Sequence, residues 1–212
     1  TAVIDPTNWQ LIVVAPGVAP GTKGLLMDNH YRDQFGRLWS ESQATENGSA
    51  LAGVYITNPK TFRNEKTISL GQNVLNTVGL TPDGKFAVVP VSTTNQLNVY
   101  DTGSYGRVAT IGVGSFPNDM MVSADGKYCC EPDRDSDWLT IVDTKTWKVM
   151  GKVPTGDGSA SPTPAGYITP DPNGKHVYAS IETGLQVIDT SSLQVVNTIS
   201  TGGVVGTPYV LT

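Results

Sequence analysis

Histidine and cysteine are nearly absent from this chain, with two of each among 212 residues. So few ligands cannot build a cluster of zinc sites, and two cysteines do not settle the redox compartment. Charge is also sparse. Only 16% of residues are Asp, Glu, Lys or Arg, and 14 basic against 19 acidic residues leave a net charge of −5. No cluster of Lys and Arg occurs, so the electrostatic footprint that neutralises a phosphate backbone is missing and nucleic acid is excluded as a partner. No apolar run approaches the roughly 20 residues of a membrane-spanning helix. The longest candidate, Leu11 to Pro20, is interrupted by Pro16 and Gly17 and reads as a strand plus a turn. No window of a dozen residues carries the helical period, and one of 23 glycines or 14 prolines breaks every long stretch. There is no Gly-x-Ser-x-Gly elbow, no Cys-x-x-Cys-His attachment site, no P-loop and no dinucleotide fingerprint. The chain opens at Thr1 without a Met or a signal-like apolar stretch. That reads as a mature or trimmed product whose targeting segment is out of view.

What is present is a repeat. Asp-Gly-Lys or Asn-Gly-Lys turns occur at Gly84, Gly126 and Gly174, 42 and 48 residues apart. Each is followed by a short apolar run and then by a strand ending in Asp-Thr, at Asp101, Asp143 and Asp189. Each unit closes with a Val- and Thr-rich run that ends on glycine. A looser copy precedes them. It turns at Gln34 to Arg37, has Asn58 where the others have Asp, and carries an insertion around Thr45 to Ser49. Asp-Gly and Asn-Gly favour the positive φ of tight hairpins, and the flanking runs are rich in β-branched residues and Tyr. Asp-Thr after the third strand suits an Asx turn. Four short strands in each of several units of about 40–45 residues predict an all-β fold, a β-propeller of four-stranded antiparallel blades. The expected blades are residues 24–71, 74–114, 117–156 and 164–203. Residues 1–15 make a partial blade, and 206–212 the first strand of a further one. Four blades and two fragments make an incomplete ring, or part of a larger six- to eight-bladed propeller. The chain is then a piece of a longer one, is completed by a partner chain, or closes as a small ring of five.

The Asp-Gly-Lys turn, the Val-(Tyr/Ile)-Asp-Thr strand end and the Val-x-x-Thr-Ile-x-x-Gly close resemble the YVTN family of propeller repeats. The resemblance covers Asn73 to Gly202 well and Gly24 to Gly71 loosely. It implies a propeller and no single chemistry. Such repeats occur in surface-layer proteins, periplasmic propellers, lactonase-like enzymes and heme-carrying propellers. One departure is Cys129-Cys130, where the family has apolar residues or Tyr. Neighbouring residues in a strand face opposite sides, so these read as two buried hydrophobes, one per face, or as a vicinal disulfide.

In such a fold the loops leading into the inner strands, and those joining second to third strands, meet at one mouth of the channel. This places Asp28, Asn29 and His30, Asn76 and Thr77, Asn118 and Asp119, and Pro164 to Gly166 on that face. Glu41 and Arg134 join them from the second-to-third loops. His30 suits a metal ligand, a heme ligand or a general base. Asp28, Asn76, Asn118 and Asp119 offer oxygen to a hard cation. His30, Asp28 and Asp119 are the candidate metal set, against a plain reading as polar groups lining a wet channel. Asp133-Arg134-Asp135 reads as a solvated loop, Arg134 pairing with either neighbour. His176 reads as a surface or blade-interface residue. Trp9, Trp39, Trp138 and Trp147 suit packing between blades, or stacking on a ligand.

The expected function is an extracytoplasmic binding or structural scaffold, secreted, periplasmic or on the cell surface. Its loop face would meet a protein, a glycan or another copy of the chain. The alternative is an enzyme or enzyme subunit with a site at the channel mouth, a metal-assisted lactonase-like hydrolase or a cofactor-bearing redox propeller. No cofactor is assigned.

Overall fold

A computed structural model describes the backbone of residues 2–4, 11–14, 23–26, 30–46, 49–61, 63–71, 77–117, 119–155 and 167–203. Side chains are described for residues 31–41, 53–61, 63–71, 77–117, 119–155 and 167–203. Apart from a single 3-10 turn at Ser92–Thr94, the described elements are strands. β1 (Ala2–Ile4) and β2 (Leu11–Val14) pair as a hairpin. Sheet I holds β3 (Lys23–Leu26), β4 (His30–Arg32), β5 (Leu38–Glu46), β6 (Ser49–Thr57) and β7 (Asn64–Gly71). Sheet II holds β8 (Gly79–Leu80), β9 (Phe86–Val91), β10 (Gln96–Asp101) and β11 (Arg107–Gly112). Sheet III holds β12 (Met121–Val122), β13 (Tyr128–Asp133), β14 (Trp138–Asp143) and β15 (Lys148–Pro154). Sheet IV holds β16 (Ile168–Pro170), β17 (His176–Ile181), β18 (Gly184–Asp189) and β19 (Gln194–Ser200). Every pairing is antiparallel, and each sheet runs in chain order from its first strand outward. The first strands adjoin one another from sheet to sheet: β4 beside β8, β8 beside β12, β12 beside β16.

The two middle strands of sheets II and III are covered on both faces, which explains their nearly continuous apolar runs. Trp39, Val54 and Ile56 of sheet I pack on Val78, Ala87 and Val89 of sheet II. Val88, Leu97 and Ile111 of sheet II meet Met120 and Cys129 of sheet III. Cys130, Leu139 and Val153 of sheet III meet Ile168, Val177 and Ile188 of sheet IV. Each such buried side chain stabilises by roughly 1.5–3 kcal/mol. The adjacent cysteines point to opposite faces as the period of two requires, both as free thiols. Trp39 is buried between sheets I and II, and Trp147 meets Phe86 edge-on at 5.5 Å between sheets II and III. Trp9 lies outside the described residues.

The repeated residues turn out to be two ends of one contact. Gly84, Gly126 and Gly174 adopt φ of +68°, +70° and +73°, which glycine accepts without strain. Their carbonyls accept the hydroxyls of Thr102, Thr144 and Thr190, at 2.8 Å for Thr102 and 2.9 Å for Thr190. Thus the Thr of Asp-Thr locks the third strand to the turn before the second. Two of these carbonyls also reach the preceding sheet. Gly84 accepts the Gln34 N–H at 3.2 Å, and Gly174 the Tyr128 hydroxyl at 3.0 Å. Asp101, Asp143 and Asp189 make the expected Asx turns. Hydrogen bonds from Ser104, Thr146 and Ser191 hold these carboxyls below the ordinary range. Asn58 does the same work, accepting from the Lys60 and Thr61 N–H groups at 2.9 and 3.2 Å.

Sheet I departs from the pattern twice. Its turn closes from the Asp33 N–H to the Arg37 carbonyl, whereas sheet II closes from Thr81 to Phe86, one residue longer. The buried Asp33 carboxylate replaces the missing residue, accepting from Phe35 and Arg37 N–H at 2.9 Å, Arg37 Nε at 2.7 Å and Trp39 Nε1 at 2.8 Å. The Arg37 guanidinium lies 4.7 Å from the ring centres of both Phe35 and Tyr105 and bonds the Thr102 carbonyl, so it fastens sheet I to sheet II. Second, the insertion around Thr45 to Ser49 lengthens a hairpin rather than looping out. β5 and β6 pair from Leu38↔Thr57 to Glu46↔Ser49, and β3 lies along the extension.

Candidate functional site

The approaches to the inner strands lie at the strand ends opposite the glycine turns. Register fixes which residues stand there. Gly79, Met121 and Thr169 occupy the same place, opposite Val88, Cys130 and Tyr178. Two residues earlier stand Thr77, Asp119 and Tyr167. In sheet IV the position therefore falls on Tyr167, while Pro164 to Gly166 lie outside the described residues. In sheet I the residue opposite Trp39 is Tyr31.

Tyr31, Thr77, Asp119 and Glu41 form one group. The Tyr31 phenol is raised above its ordinary pKa mainly by burial. A hydrogen bond shared with the Thr77 hydroxyl opposes that rise, and the nearby charges of Asp119 and Glu41 add to it. Asp119 is partly buried, and desolvation lifts its carboxyl to about 6, against hydrogen bonds from the Met120 and Ile168 N–H groups that lower it. The Met120 N–H stands 2.8 Å from Oδ1. Because Ile168 belongs to β16, Asp119 ties the approach of β12 to the next inner strand. Thr77 and Glu41 are buried. The packing that holds them is tight: a Cβ added to Gly79 would stand 2.0 Å from Met120 Sδ. The group thus joins Tyr31 and Glu41 of sheet I to the approaches of β8 and β12, with the Ile168 N–H of β16 on Asp119, and a carboxyl near 6 in it is fit to exchange protons at neutral pH.

Arg134 is exposed on the same face, 6.0 Å from the Phe116 ring centre, and makes no ion pair among the described residues. The Asp133-Arg134-Asp135 run is not wholly solvated. Asp133 is buried and accepts from the Gly114 N–H and the Thr140 hydroxyl. Trp138 and Tyr167 are 40% and 49% exposed on this end of the molecule. Asp28, Asn29, Asn76 and Asn118 lie outside the described residues, as does the side chain of His30, whose backbone opens β4. The metal set built on His30 and Asp28 is therefore outside them too. Among the described residues no three of His, Cys, Asp and Glu are grouped to hold a metal, and no helix is long and apolar enough to cross a membrane. His176 is half-buried between strands, its Nδ1 3.3 Å from Asp171. A cleft of about 270 Å³ opens on the opposite end, between the turns at Asp83 and Gly126. The hydroxyls and carboxylates around it are already bonded within those turns. It is the groove left where two copies of the turn meet, remote from the Asp119 cluster.

Four antiparallel sheets set side by side through their first strands define a β-propeller. Among solved structures the chain is similar to Kuenenia stuttgartiensis hydrazine synthase, with a TM-score of 0.66 and 19% identity over 89% of this chain and 53% of that one. It is also similar to the dihydro-heme d1 dehydrogenase NirN in complex with DHE, with a TM-score of 0.69 and 14% identity over 94% of this chain and 43% of that one. At these identities the likeness is one of fold. The chain spans about half the length of the structures it matches. No protein-family model and no curated protein matches it.

Proposed function

We propose that this chain is the propeller unit of an enzyme whose reaction site is the channel mouth. Asp119 exchanges a proton with a small polar substrate and the Tyr31 hydroxyl orients it. The observation that carries this reading is the convergence on Tyr31 of Glu41 from its own sheet and of Thr77 and Asp119 from the next two, with the Asp119 carboxyl lifted to about 6. That two similar folds bear the names of a synthase and a dehydrogenase supports it. The low charge and the Thr-, Ser-, Asn- and Gly-rich composition support an extracytoplasmic setting, and the repeated turn and strand end support repeats of the YVTN type. A second reading, a binding or scaffold module, draws on exposed Trp138 and Tyr167 and on Arg134 over Phe116 at the same end.

Amide NMR with a library of small amines, carboxamides and hydroxy acids separates the two. The enzyme reading expects binders to perturb Tyr31, Thr77 and Asp119, with an affinity that follows one ionisation near pH 6 and loses that dependence in Asp119→Asn. Perturbations confined to Trp138, Tyr167 and Arg134, unaltered in that variant, would replace it with the binding module.

A further inference from the structure

We propose that the ligand of the channel mouth is a cation, a small primary ammonium. The inference rests on the channel-mouth reading and names its substrate class. The side chains that meet there, Tyr31, Thr77, Glu41 and Asp119, offer only hydroxyl and carboxylate oxygens. None brings a positive charge with which to hold a carboxylate or a phosphate. Asp119 is partly buried, and its hydrogen bonds come from the backbone N–H groups of Met120 and Ile168. Among the described residues no Lys, Arg or His forms an ion pair with it. A charge taken out of water needs a partner of opposite sign, and the described side chains supply none. Glu41, buried and acting on the same phenol, adds a charge of the same sign.

Charge is also sorted along the strands. The second strand of each sheet ends at the mouth and the third begins there. Among the described residues, the loops at this end carry Asp119, Asp135, Asp137 and Glu182 against the one guanidinium of Arg134. Arg134 is exposed, so solvent screens it, and exposed Asp135 beside it offsets what remains. The lysines of the repeat stand at the other end: Lys85, Lys127 and Lys175 follow the glycine turns, and Lys145 follows β14. An opening lined by one sign of charge focuses the field and concentrates ions of the other sign. A metal ion fits less well than an ammonium, because two N–H groups already occupy the Asp119 carboxylate and no three of His, Cys, Asp and Glu are grouped among the described residues. An ammonium brings three N–H donors, matched to the oxygens of Asp119, Tyr31 and Thr77.

Titration of propylammonium into the purified 212-residue chain at pH 7.5 and low salt, followed at the amides of Tyr31, Thr77 and Asp119, tests this. These amides should shift together with one Kd. Propionate and 1-propanol, the anionic and neutral counterparts, should bind at least about tenfold more weakly, the scale of a charge-assisted hydrogen bond. Tetramethylammonium, a cation without N–H donors, and Ca²⁺ should be weaker too. Raising salt to about 0.15 M should weaken propylammonium, since the screening length falls to about 8 Å. Asp119→Asn, which keeps an oxygen for both N–H groups, should weaken propylammonium at least about tenfold and leave 1-propanol unchanged. Propionate, 1-propanol, tetramethylammonium or Ca²⁺ binding at these amides as tightly as propylammonium overturns the proposal and leaves the channel-mouth reading standing. So does an affinity for propylammonium that Asp119→Asn or salt does not alter. If no probe of any class moves these amides, the proposal and that reading fall together.

Discussion

Replacing Asp119 by Asn should stabilise the protein at neutral pH and leave it unchanged in acid. Desolvation raises the carboxyl from 3.8 to about 6 in the folded chain, so the folded state binds the proton more tightly than the unfolded state does. Stability linked to this group is complete below about pH 4 and is lost as pH rises towards 6. Above that it stays level. At about 1.36 kcal/mol per pH unit, the loss amounts to about 3 kcal/mol by pH 7. Asn keeps an oxygen for the Met120 and Ile168 N–H groups and never ionises. Any fixed cost of its amide hydrogens is the same at every pH. The carboxyls of Asp101, Asp143 and Asp189 act in the opposite sense, losing their contribution as pH falls below the ordinary range. They are common to both proteins and cancel in the difference. Urea unfolding of both proteins from pH 3 to pH 8 supplies the measurement. The gap between variant and wild type should open by about 3 kcal/mol, chiefly between pH 4 and pH 6. A gap that is constant with pH, or one that closes as pH rises, refutes a desolvated carboxyl at this position.

Gly84→Ala should lose about 3 kcal/mol or more, since a Cβ there would lie 2.4 Å from the Gln34 nitrogen in addition to the strain of φ +68°. Gly202→Ala, at φ +73° with nothing within 4 Å, should lose only about 1 kcal/mol; equal losses in thermal melts would show that the contact between sheets I and II adds nothing. Burial pushes the Cys129 thiol up to about 12 and raises Cys130 as well. Native protein at pH 8 should therefore resist a thiol-specific chromogenic disulfide and release two equivalents once unfolded. Fast native labelling, or no thiol after unfolding, contradicts two buried free cysteines.

The features legible in the sequence are those fixed by local geometry. Asp-Gly-Lys needs positive φ, Asp-Thr needs an Asx turn, and Cys129-Cys130 must straddle a strand, and each follows from two to five residues. The channel-mouth group was harder to read for two reasons. Aligning Gly36 with Gly84 puts Tyr31 at the place of Gly79 and Met121, inside the strand, so attention falls on the approach before it and on His30. Moreover, Tyr31, Thr77, Glu41 and Asp119 meet only because sheets stack around their first strands, a relation no spacing encodes. Asp133 shows a similar limit. Its neighbours in sequence are charged, but its partners Gly114 and Thr140 come from elsewhere in the fold. The long hairpin of β5 and β6 read as an insertion because pairing across Glu46↔Ser49 leaves no periodic signature beyond a few polar residues.

The bond from Thr102 to the Gly84 carbonyl has a consequence for ancestry. Its donor and acceptor sit 18 residues apart in a single stretch of chain, so any duplication of a 42- or 48-residue segment carries the fastening and its counterpart together. A copied unit arrives already able to set its own strand order, and only its flanks must adapt to new company. Tandem growth or loss of whole units is thereby mechanically permissible, whereas an exchange that separates the turn from the threonine leaves both halves without their mate.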